Sequence, residues 1–292
     1  MNRGLVAVDW GTSSLRAARL DTEGRVQDER SAARGILSVA PGAFEQVLGD
    51  FCGDWLRDGT LCLVSGMAGS RQGWIEAPYC PCPADAADLA RHLAWAVPGR
   101  VAIVPGVSCE RGGVPDVMRG EEVQVFGAVA LLHERDLHAL LPGTHSKHVR
   151  VRGGRIESFA TFMTGELYAL LRQHSILART LPAEDGALDA AAFLEGVRHA
   201  RSEASLLSAA FSARTLALFD RMPAAALPSY LSGLVIGEEL RHVPTTGGKM
   251  AVIGTPELAR RYALALDAPV ACLGAEATWH GLWQLSQAMS TP

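Results

Sequence analysis

Gly4-Leu5-Val6-Ala7-Val8-Asp9-Trp10-Gly11-Thr12-Ser13-Ser14-Leu15-Arg16 is the stretch on which the fold turns. Gly4 to Trp10 is apolar apart from Asp9 and of strand length, so it reads as a buried strand. Gly11-Thr12-Ser13 supplies a turn, Ser14 to Leu20 a second strand, and Asp21-Thr22-Glu23-Gly24 leads to a third beginning at Arg25. The same meander returns later in the chain. Leu137 to Leu141, the turn Pro142-Gly143-Thr144-His145, Ser146 to Val151, the turn Arg152-Gly153-Gly154 and Arg155 to Phe162 repeat its order. The letters repeat as well: Gly11-Thr12-Ser13-Ser14 and Gly143-Thr144-His145-Ser146 are both G-T-x-S, and Gly24-Arg25-Val26 parallels Gly154-Arg155-Ile156. An internal repeat outranks local assignments and predicts two related lobes.

Around the two meanders, strands alternate with helices. Phe44, Val47, Leu48, Phe51, Cys52, Trp55 and Leu56 recur at helical spacing after Pro41. A strand at Leu61 to Ser65 runs into Gly66-Met67-Ala68-Gly69-Ser70, a helix is expected over Ala84 to Ala96, and a strand over Val101 to Pro105. Gly106 to Gly120 reads as a turn-rich connection delivering the chain into a helix from Glu121 to Leu132. The remainder reads as helices over Gly165 to Ile176, Asp189 to Arg198, Ser205 to Arg221 and Pro228 to His242. A strand at Lys249 to Ile253 follows, then a turn at Gly254-Thr255, a helix from Pro256 and a last helix over Ala275 to Met289. This order is that of an α/β protein. We expect a first lobe over 1–133, a second over 134–274, and a C-terminal helix, 275–292, returning to the first lobe.

A chain of 292 residues, 48% of them hydrophobic, can fill two cores. Its net charge of −4 and scattered basic residues give no reason to expect nucleic acid. The first twenty residues lack the h-region of a signal peptide, and no run approaches the roughly 20 apolar residues a bilayer needs, so a soluble, cytoplasmic protein without a membrane partner is expected. Of six cysteines only Cys80 and Cys82 are close, as C-x-C without a second ligand pair; with nine dispersed histidines this argues for structural thiols and against a transition-metal site.

An Asp at a strand end followed by Gly-Thr-Ser suits a phosphate turn. Gly11 lets the backbone approach, the N–H groups and hydroxyls of Thr12 and Ser13 bond phosphate oxygens, and Asp9 is placed to hold Mg²⁺. A lone D-x-G-T also occurs in ordinary hairpins, but a second copy at Gly143, Thr144 and His145 offers a grip on a triphosphate from both sides.

These residues resemble the first phosphate motif of the actin, hexokinase and Hsp70 superfamily, and more narrowly the 2-dehydro-3-deoxygalactonokinase family. The narrower resemblance rests on Ser65-Gly66-Met67-Ala68-Gly69-Ser70 with Gly73-Trp74 and Ala77-Pro78-Tyr79, and on Val117-Met118-Arg119-Gly120-Glu121-Glu122. It continues through Pro142-Gly143-Thr144-His145 with Lys147, Met163-Thr164-Gly165-Glu166-Leu167, Leu231 to Gly237, and Gly254-Thr255. It implies a two-lobed actin-like ATPase fold, duplicated ribonuclease-H-like domains about a central cleft, with ATP and Mg²⁺ as cofactors. The implied reaction is phosphorylation of 2-dehydro-3-deoxy-D-galactonate at its 6-hydroxyl in galactonate breakdown. Pro142 stands where the superfamily often has Asp, and the adenosine turn, Gly254-Thr255, lacks the usual double glycine.

Transfer to an alcohol needs a carboxylate to take its proton. Glu121 and Glu122 open a helix, where the macrodipole alone would favour them; since sugar kinases of the superfamily carry a Gly-Asp pair there, Glu121 is the expected base and Glu122 a partner for substrate hydroxyls. A substrate carboxylate calls for a bidentate guanidinium, first Arg119, then Arg71, each of which could instead sit in a surface salt bridge. Ser65, Met67, Gly69 and Trp74 are expected to line the sugar site, although Trp74 would serve equally as core. Thr164 and Glu166 read as an N-cap and first-turn acid or as further substrate contacts. Another 2-keto-3-deoxy aldonate, such as the gluconate epimer, or a phosphatase or ATPase on the same frame, are the alternatives. A non-enzymatic sugar sensor would need a DNA-binding helix for which no segment is spare. The sequence leaves a homodimer open.

Overall fold

The structure, a computed structural model, describes residues 4–241, 243 and 249–289. Its strands in the first half of the chain are β1 (Leu5–Trp10), β2 (Leu15–Leu20), β3 (Val26–Ala32), β4 (Leu61–Gly66), β5 (Tyr79–Pro81), β6 (Ala94–Val97), β7 (Val101–Ile103), β8 (Gly106–Arg111) and β9 (Val114–Met118). Helices α1 (Phe44–Cys52), α2 (Ala86–Arg91) and α3 (Glu121–Leu132) interleave with them. Then come β10 (Leu137–Leu141), β11 (Ser146–Arg152), β12 (Arg155–Phe162), α4 (Thr164–His174), α5 (Ala190–Ser202), α6 (Leu206–Ala209), α7 (Ser212–Leu218) and α8 (Leu227–Leu240). The chain finishes with β13 (Lys249–Ile253), α9 (Pro256–Leu266), β14 (Ala271–Leu273) and α10 (Glu276–Ala288).

Two compact units form, one of Met1–Ala139, Val149–Ala160 and Leu273–Pro292, the other of Leu140–His148 and Thr161–Cys272. Their boundary falls inside β10, β11, β12 and β14. Residues 149–160 join the first unit through a bridge between Ala84 and Ile156 and through Arg155, whose guanidinium meets Asp85, Asp88 and the Pro83 carbonyl.

In the first unit a six-stranded sheet has the order β3-β2-β1-β4-β7-β6. β1 to β3 form the antiparallel meander, whereas β1, β4 and β7 run parallel. Leu5 to Val8 are all buried, as a central strand covered on both faces requires. One face packs on α1 through Val6, Val8, Trp10, Phe44, Leu48 and Val64. On the other lie α3 and α10, and the Trp279 indole N–H of α10 donates to Glu29 at 2.7 Å. The second meander belongs to a five-stranded sheet of order β12-β11-β10-β13-β14.

The structure corrects the sequence reading in four places. The helix expected over Ala84 to Ala96 stops at Arg91, closed by the His92 ring on the Asp88 carbonyl, and Ala94–Val97 is an edge strand against β7. The turn-rich connection Gly106 to Gly120 is a hairpin, β8–β9, with β5 beside it in a third sheet. Gly112 and Gly113 both have positive φ, as a two-residue loop between Arg111 and Val114 demands, and Pro115 is tolerated because β9 is an edge. The helix expected over Ser205 to Arg221 is two, α6 and α7; the Ser212 hydroxyl at the break bonds the Ala209 carbonyl and Tyr230 instead of leaving the ladder unbroken. β14 was not expected at all. His242, the anticipated end of α8, lies outside the described residues.

Each unit holds one helix pair in backbone contact. A Cβ on Gly127 of α3 would lie 1.7 Å from the Ala277 carbonyl oxygen of α10, and one on Gly281 would lie 1.9 Å from that of Val123. In the second unit Gly196 of α5 and Gly233 of α8 make the same reciprocal approach, at 2.1 Å to the Tyr230 oxygen and 2.0 Å to that of Phe193. Gly49 of α1 has nothing near it. Gly127→Ala should therefore cost about 3 kcal/mol, lowering Tm by about 6–12 °C, while Gly49→Ala gains about 0.5–1 kcal/mol from helix propensity alone. Thermal denaturation of both variants checks the opposite signs.

Candidate active site

The first unit builds a candidate site from three strand ends and a helix start. Asp9 sits one residue from the end of β1, in register with Ser65 of β4 and Arg16 of β2, and its carboxylate pairs with the Arg16 guanidinium. The following turn is closed by the Gly11 N–H on the Ser14 carbonyl at 2.9 Å and leaves Thr12 and Ser13 exposed. It is backed by residues 35–37: Ile36 N–H donates to the Gly11 carbonyl at 3.0 Å, and a side chain at Gly35 would strike the Thr12 carbonyl at 2.2 Å.

Gly66 and Gly120 bring the start of α3 to this turn. Gly66 has φ +89, and a Cβ there would come 2.9 Å from the Trp10 oxygen and 3.2 Å from Asp9 Oδ1. Gly120, at φ +106, would place its Cβ 3.2 Å from the Gly66 Cα. Residues 9, 66 and 120 are thus neighbours, and the carboxylates that follow Gly120 stand at the end of β1.

Glu121 and Glu122 differ sharply. Glu121 is half-buried and accepts the Arg119 N–H at 3.0 Å. Glu122 is fully buried, with both oxygens 2.8 Å from the Gly120 N–H. Burial, reinforced by the Glu121 charge and opposed by the Gly120 N–H, pushes its carboxyl up to about 8. A group enclosed this way folds back on the start of its own helix and is shut off from solvent, which counts against the contact with substrate hydroxyls expected of it.

Arg119 packs over the Tyr79 ring at 4.3 Å and donates from Nη2 to the Ala77 carbonyl at 2.8 Å. Its Nε and Nη1 are buried and make no hydrogen bond to any described residue. Gly69 makes room for it, since a Cβ there would lie 2.8 Å from Nη1. Arg71 is the opposite case, 87% exposed and paired with Glu76, a surface salt bridge. Ser65 is fully buried, with its hydroxyl on the Val8 carbonyl at 3.3 Å, Met67 packs on the core, and Trp74 packs with Trp10 and Phe44. Those three side chains support the site from within.

In the second unit the turn Pro142 to His145 rests on the start of α4. Glu166 N–H donates to the Thr144 carbonyl at 3.0 Å, and a Cβ on Gly165 would lie 2.5 Å from the Gly143 oxygen. His145 Nε2 meets the Glu166 carboxylate at 2.5 Å. Lys147 is buried, its ammonium donating to Thr161 Oγ1 at 2.7 Å. Thr164 does not cap α4; its hydroxyl is buried on Glu239. Thr255 caps α9 through Leu258 N–H, and Gly254 lies against Pro142. A cavity of about 320 Å³ opens among Pro142, Gly143, Thr164, Ser232, Thr255 and Arg261, with Tyr168, Asp185 and Tyr262 also in its wall.

Sequence reasoning missed Arg16, and it missed the buried group Glu239, His148 and Tyr262 behind the second turn. Arg16 could have been found from hairpin register, which puts it opposite Asp9. For Glu239 the signal was its helix: α8 is buried along nearly its whole length, so one of the two glutamates in its last turn was due to be buried and paired.

Two α/β units built on related meanders define a protein of the actin-like ATPase fold. That likeness extends to component A of (R)-2-hydroxyglutaryl-CoA dehydratase from Acidaminococcus fermentans, 11% identical, with a TM-score of 0.53 over 98% of this chain and 99% of that one. The sequence profile of the 2-keto-3-deoxy-galactonokinase family matches residues 9–285, and the chain belongs to that family. A Rhizobium meliloti (strain 1021) protein called a probable 2-dehydro-3-deoxygalactonokinase is 37% identical over 89% of this chain and 88% of its own. The 2-dehydro-3-deoxygalactonokinase of Escherichia coli K12 is 33% identical over 82% and 80%. A crystal structure of a Sinorhizobium meliloti protein described by the same enzyme name superposes with a TM-score of 0.88 at 35% identity, covering 98% and 99%.

The burial of Glu122 gives a pH test. Its folded pKa is raised above the ordinary 4.5, so its stabilising contribution is complete below about 4.5 and lost as pH climbs through about 8. Wild type should lose on the order of a few kcal/mol relative to Glu122→Gln between pH 5 and 9. Urea denaturation of both proteins across that range checks it; parallel profiles would place the titration elsewhere.

Proposed function

We propose that the chain is an ATP-dependent kinase that transfers the γ-phosphate to the 6-hydroxyl of 2-dehydro-3-deoxy-D-galactonate. The observation that carries this reading is the juxtaposition of Asp9, Gly66 and Gly120, which sets Glu121 beside a phosphate-type turn. In this reading Glu121 accepts the proton of the 6-hydroxyl as its oxygen bonds to the γ-phosphorus, and the bond to the β-phosphate oxygen breaks to release ADP. Thr12 and Ser13 offer N–H groups and hydroxyls to phosphate while Gly11 keeps the turn open, and in the second unit Thr144 and His145 do the same with N–H and side-chain groups beside Gly143. The cavity beside Gly254 and Thr255 takes the adenosine. Lys147 acts on the nucleotide only indirectly, by anchoring β11 to Thr161.

Arg119 is the partner for the substrate carboxylate. Its Nε and Nη1 each carry unused hydrogen-bonding capacity on a guanidinium held flat by Tyr79, and a buried donor without a partner is costly unless a ligand uses it. Thr164 and Arg71 have partners of their own and are dropped from the substrate contacts; Glu166 stays only through its hold on His145. Mg²⁺ brought with the nucleotide supplies charge neutralisation at the phosphates. Asp9 fits that ion, being a half-buried carboxylate whose partner is a partly exposed arginine, and one protein carboxylate suffices for an ion that keeps waters.

We also propose that, by the repeat in chain order, the domains divide as 1–133 and 134–274 with residues 275–292 attached to the first lobe, although residues 149–160 pack with the first unit, and that the chain is a cytoplasmic enzyme whose partner is the small-molecule acceptor. Nucleic acid plays no part in this reaction, and a homodimer is compatible with it. Among the described residues no helix is long and apolar enough to cross a membrane.

A coupled assay over a panel of 2-keto-3-deoxy aldonates, the gluconate epimer included, tests the reading on three variants. Glu121→Gln should lower kcat by about 10²–10⁴-fold with little change in ATP affinity, and Asp9→Asn should fold normally yet lose most turnover at saturating Mg²⁺. Arg119→Lys should raise KM for the sugar acid far more than for ATP, since Lys cannot make a planar two-bond grip. A Glu121→Gln enzyme at wild-type kcat would remove the proposed base.

A further inference from the structure

Behind the second turn four elements converge on one carboxylate. Glu239, in the last turn of α8, is 3% exposed. Its Oε1 lies 2.7 Å from His148 Nε2 of β11, and its Oε2 accepts the Tyr262 hydroxyl of α9 at 2.6 Å and the Thr164 hydroxyl of α4. Because the Tyr262 proton is committed to Glu239, the 3.0 Å contact between Tyr262 and Ser146 runs the other way, with Ser146 Oγ as donor. Ser146 Oγ in turn accepts the Gly143 N–H at 3.4 Å. The donors are therefore aligned in one direction, from Gly143 through Ser146 and Tyr262 to the carboxylate.

A buried carboxylate is tolerated only when its acceptor sites are filled, and here they are filled by side chains from β11, α4 and α9. Core packing alone would be served as well by an apolar side chain. What an ionised acceptor adds is direction: it fixes which way each hydroxyl points, and the last hydroxyl in line grips the turn. We propose that Glu239 is a positioning residue for the turn Pro142 to His145, acting through Tyr262 and Ser146 to hold its backbone in the orientation that binds nucleotide phosphates. This rests on the nucleotide role proposed above for that turn. Tyr262, Thr164, Pro142 and Gly143 also line the 320 Å³ cavity, so the network lies directly under the place assigned to the nucleotide.

If the network aims phosphate-binding groups, breaking it must weaken ligands that have phosphates and spare those that do not. Calorimetric titration of the whole protein with ADP and with adenosine makes the comparison for Ser146→Ala, Tyr262→Phe and Glu239→Gln. Tyr230→Phe serves as control, since Tyr230 makes a comparable buried bond to Ser212 at 2.7 Å in the same unit away from the turn. Each network variant should weaken ADP about tenfold, the worth of one hydrogen bond, and adenosine less than about twofold. Ser146→Ala combined with Tyr262→Phe should be little worse than either alone, because the two act in series. Tyr230→Phe should lower Tm without altering the affinity for either ligand. Should Glu239→Gln fail to fold, the two hydroxyl deletions decide the matter alone. Equal losses for ADP and adenosine, or unchanged ADP binding in variants of a wild type that binds it, would overturn the positioning role and leave the kinase reading standing. A wild type that binds no ADP would overturn both.

Discussion

The close approach of Gly66 and Gly120 beside Asp9 is the constraint on which the first unit's site depends. Both residues have positive φ, and a Cβ on either would press on backbone at about the limit of contact. With hydrogen atoms there, the end of β4 passes close to Asp9 and the start of α3 passes close to β4. Everything chemical then follows from where α3 begins. Glu122 folds back to cap the helix, Glu121 is left half-exposed at its first turn, and Arg119 lies back along Tyr79 and Gly69. The helix is held in place by its own close contact with α10 through Gly127 and Gly281. A glycine pair at the site and a glycine pair far from it thus determine where one carboxylate stands.

The second unit applies the same devices to its own turn. Gly165 admits the Gly143 backbone onto the start of α4, as Gly35 admits Thr12 in the first unit, and α5 and α8 repeat the glycine-to-carbonyl packing of α3 and α10. The two units differ in what lies behind the turn. Asp9 has a partly exposed arginine for a partner, whereas the strand after the second turn carries Ser146 and His148 into a buried network ending on Glu239. Where the first unit places an exchangeable charge, the second places a fixed one. In the G-T-x-S alignment of the two meanders the position corresponding to Asp9 is Leu141, so the second turn has no carboxylate of its own there.

The meanders, the G-T-x-S turns and the helix opening at Glu121 were legible because each is local: strand period, turn chemistry and helix spacing lie within a dozen residues. The hairpin β8–β9 was equally local, yet Pro115 and the paired glycines read as loop. They become hairpin features only once β9 is known to be an edge. Whether Glu121 or Glu122 was buried could not be read at all, since adjacent helix residues point about 100° apart and the direction of the core is a tertiary fact. For the same reason the burial of Ser65 and the packing of Met67 and Trp74 on the core could not be read from their place in a motif. The group of Ser146, His148, Thr164, Glu239 and Tyr262 spans well over a hundred residues of sequence, and no spacing rule gathers it.

The reaction proposed for this site passes phosphate to a sugar-acid hydroxyl and not to water. Phosphorus NMR of the protein with ATP and Mg²⁺, recorded before and after 2-dehydro-3-deoxy-D-galactonate is added, follows the γ-phosphate to its destination. ATP should stay intact until the sugar acid is added, and its γ-signal should then become a phosphate monoester coupled to the protons on carbon 6. Release as inorganic phosphate at the same rate with and without the sugar acid would contradict that reaction.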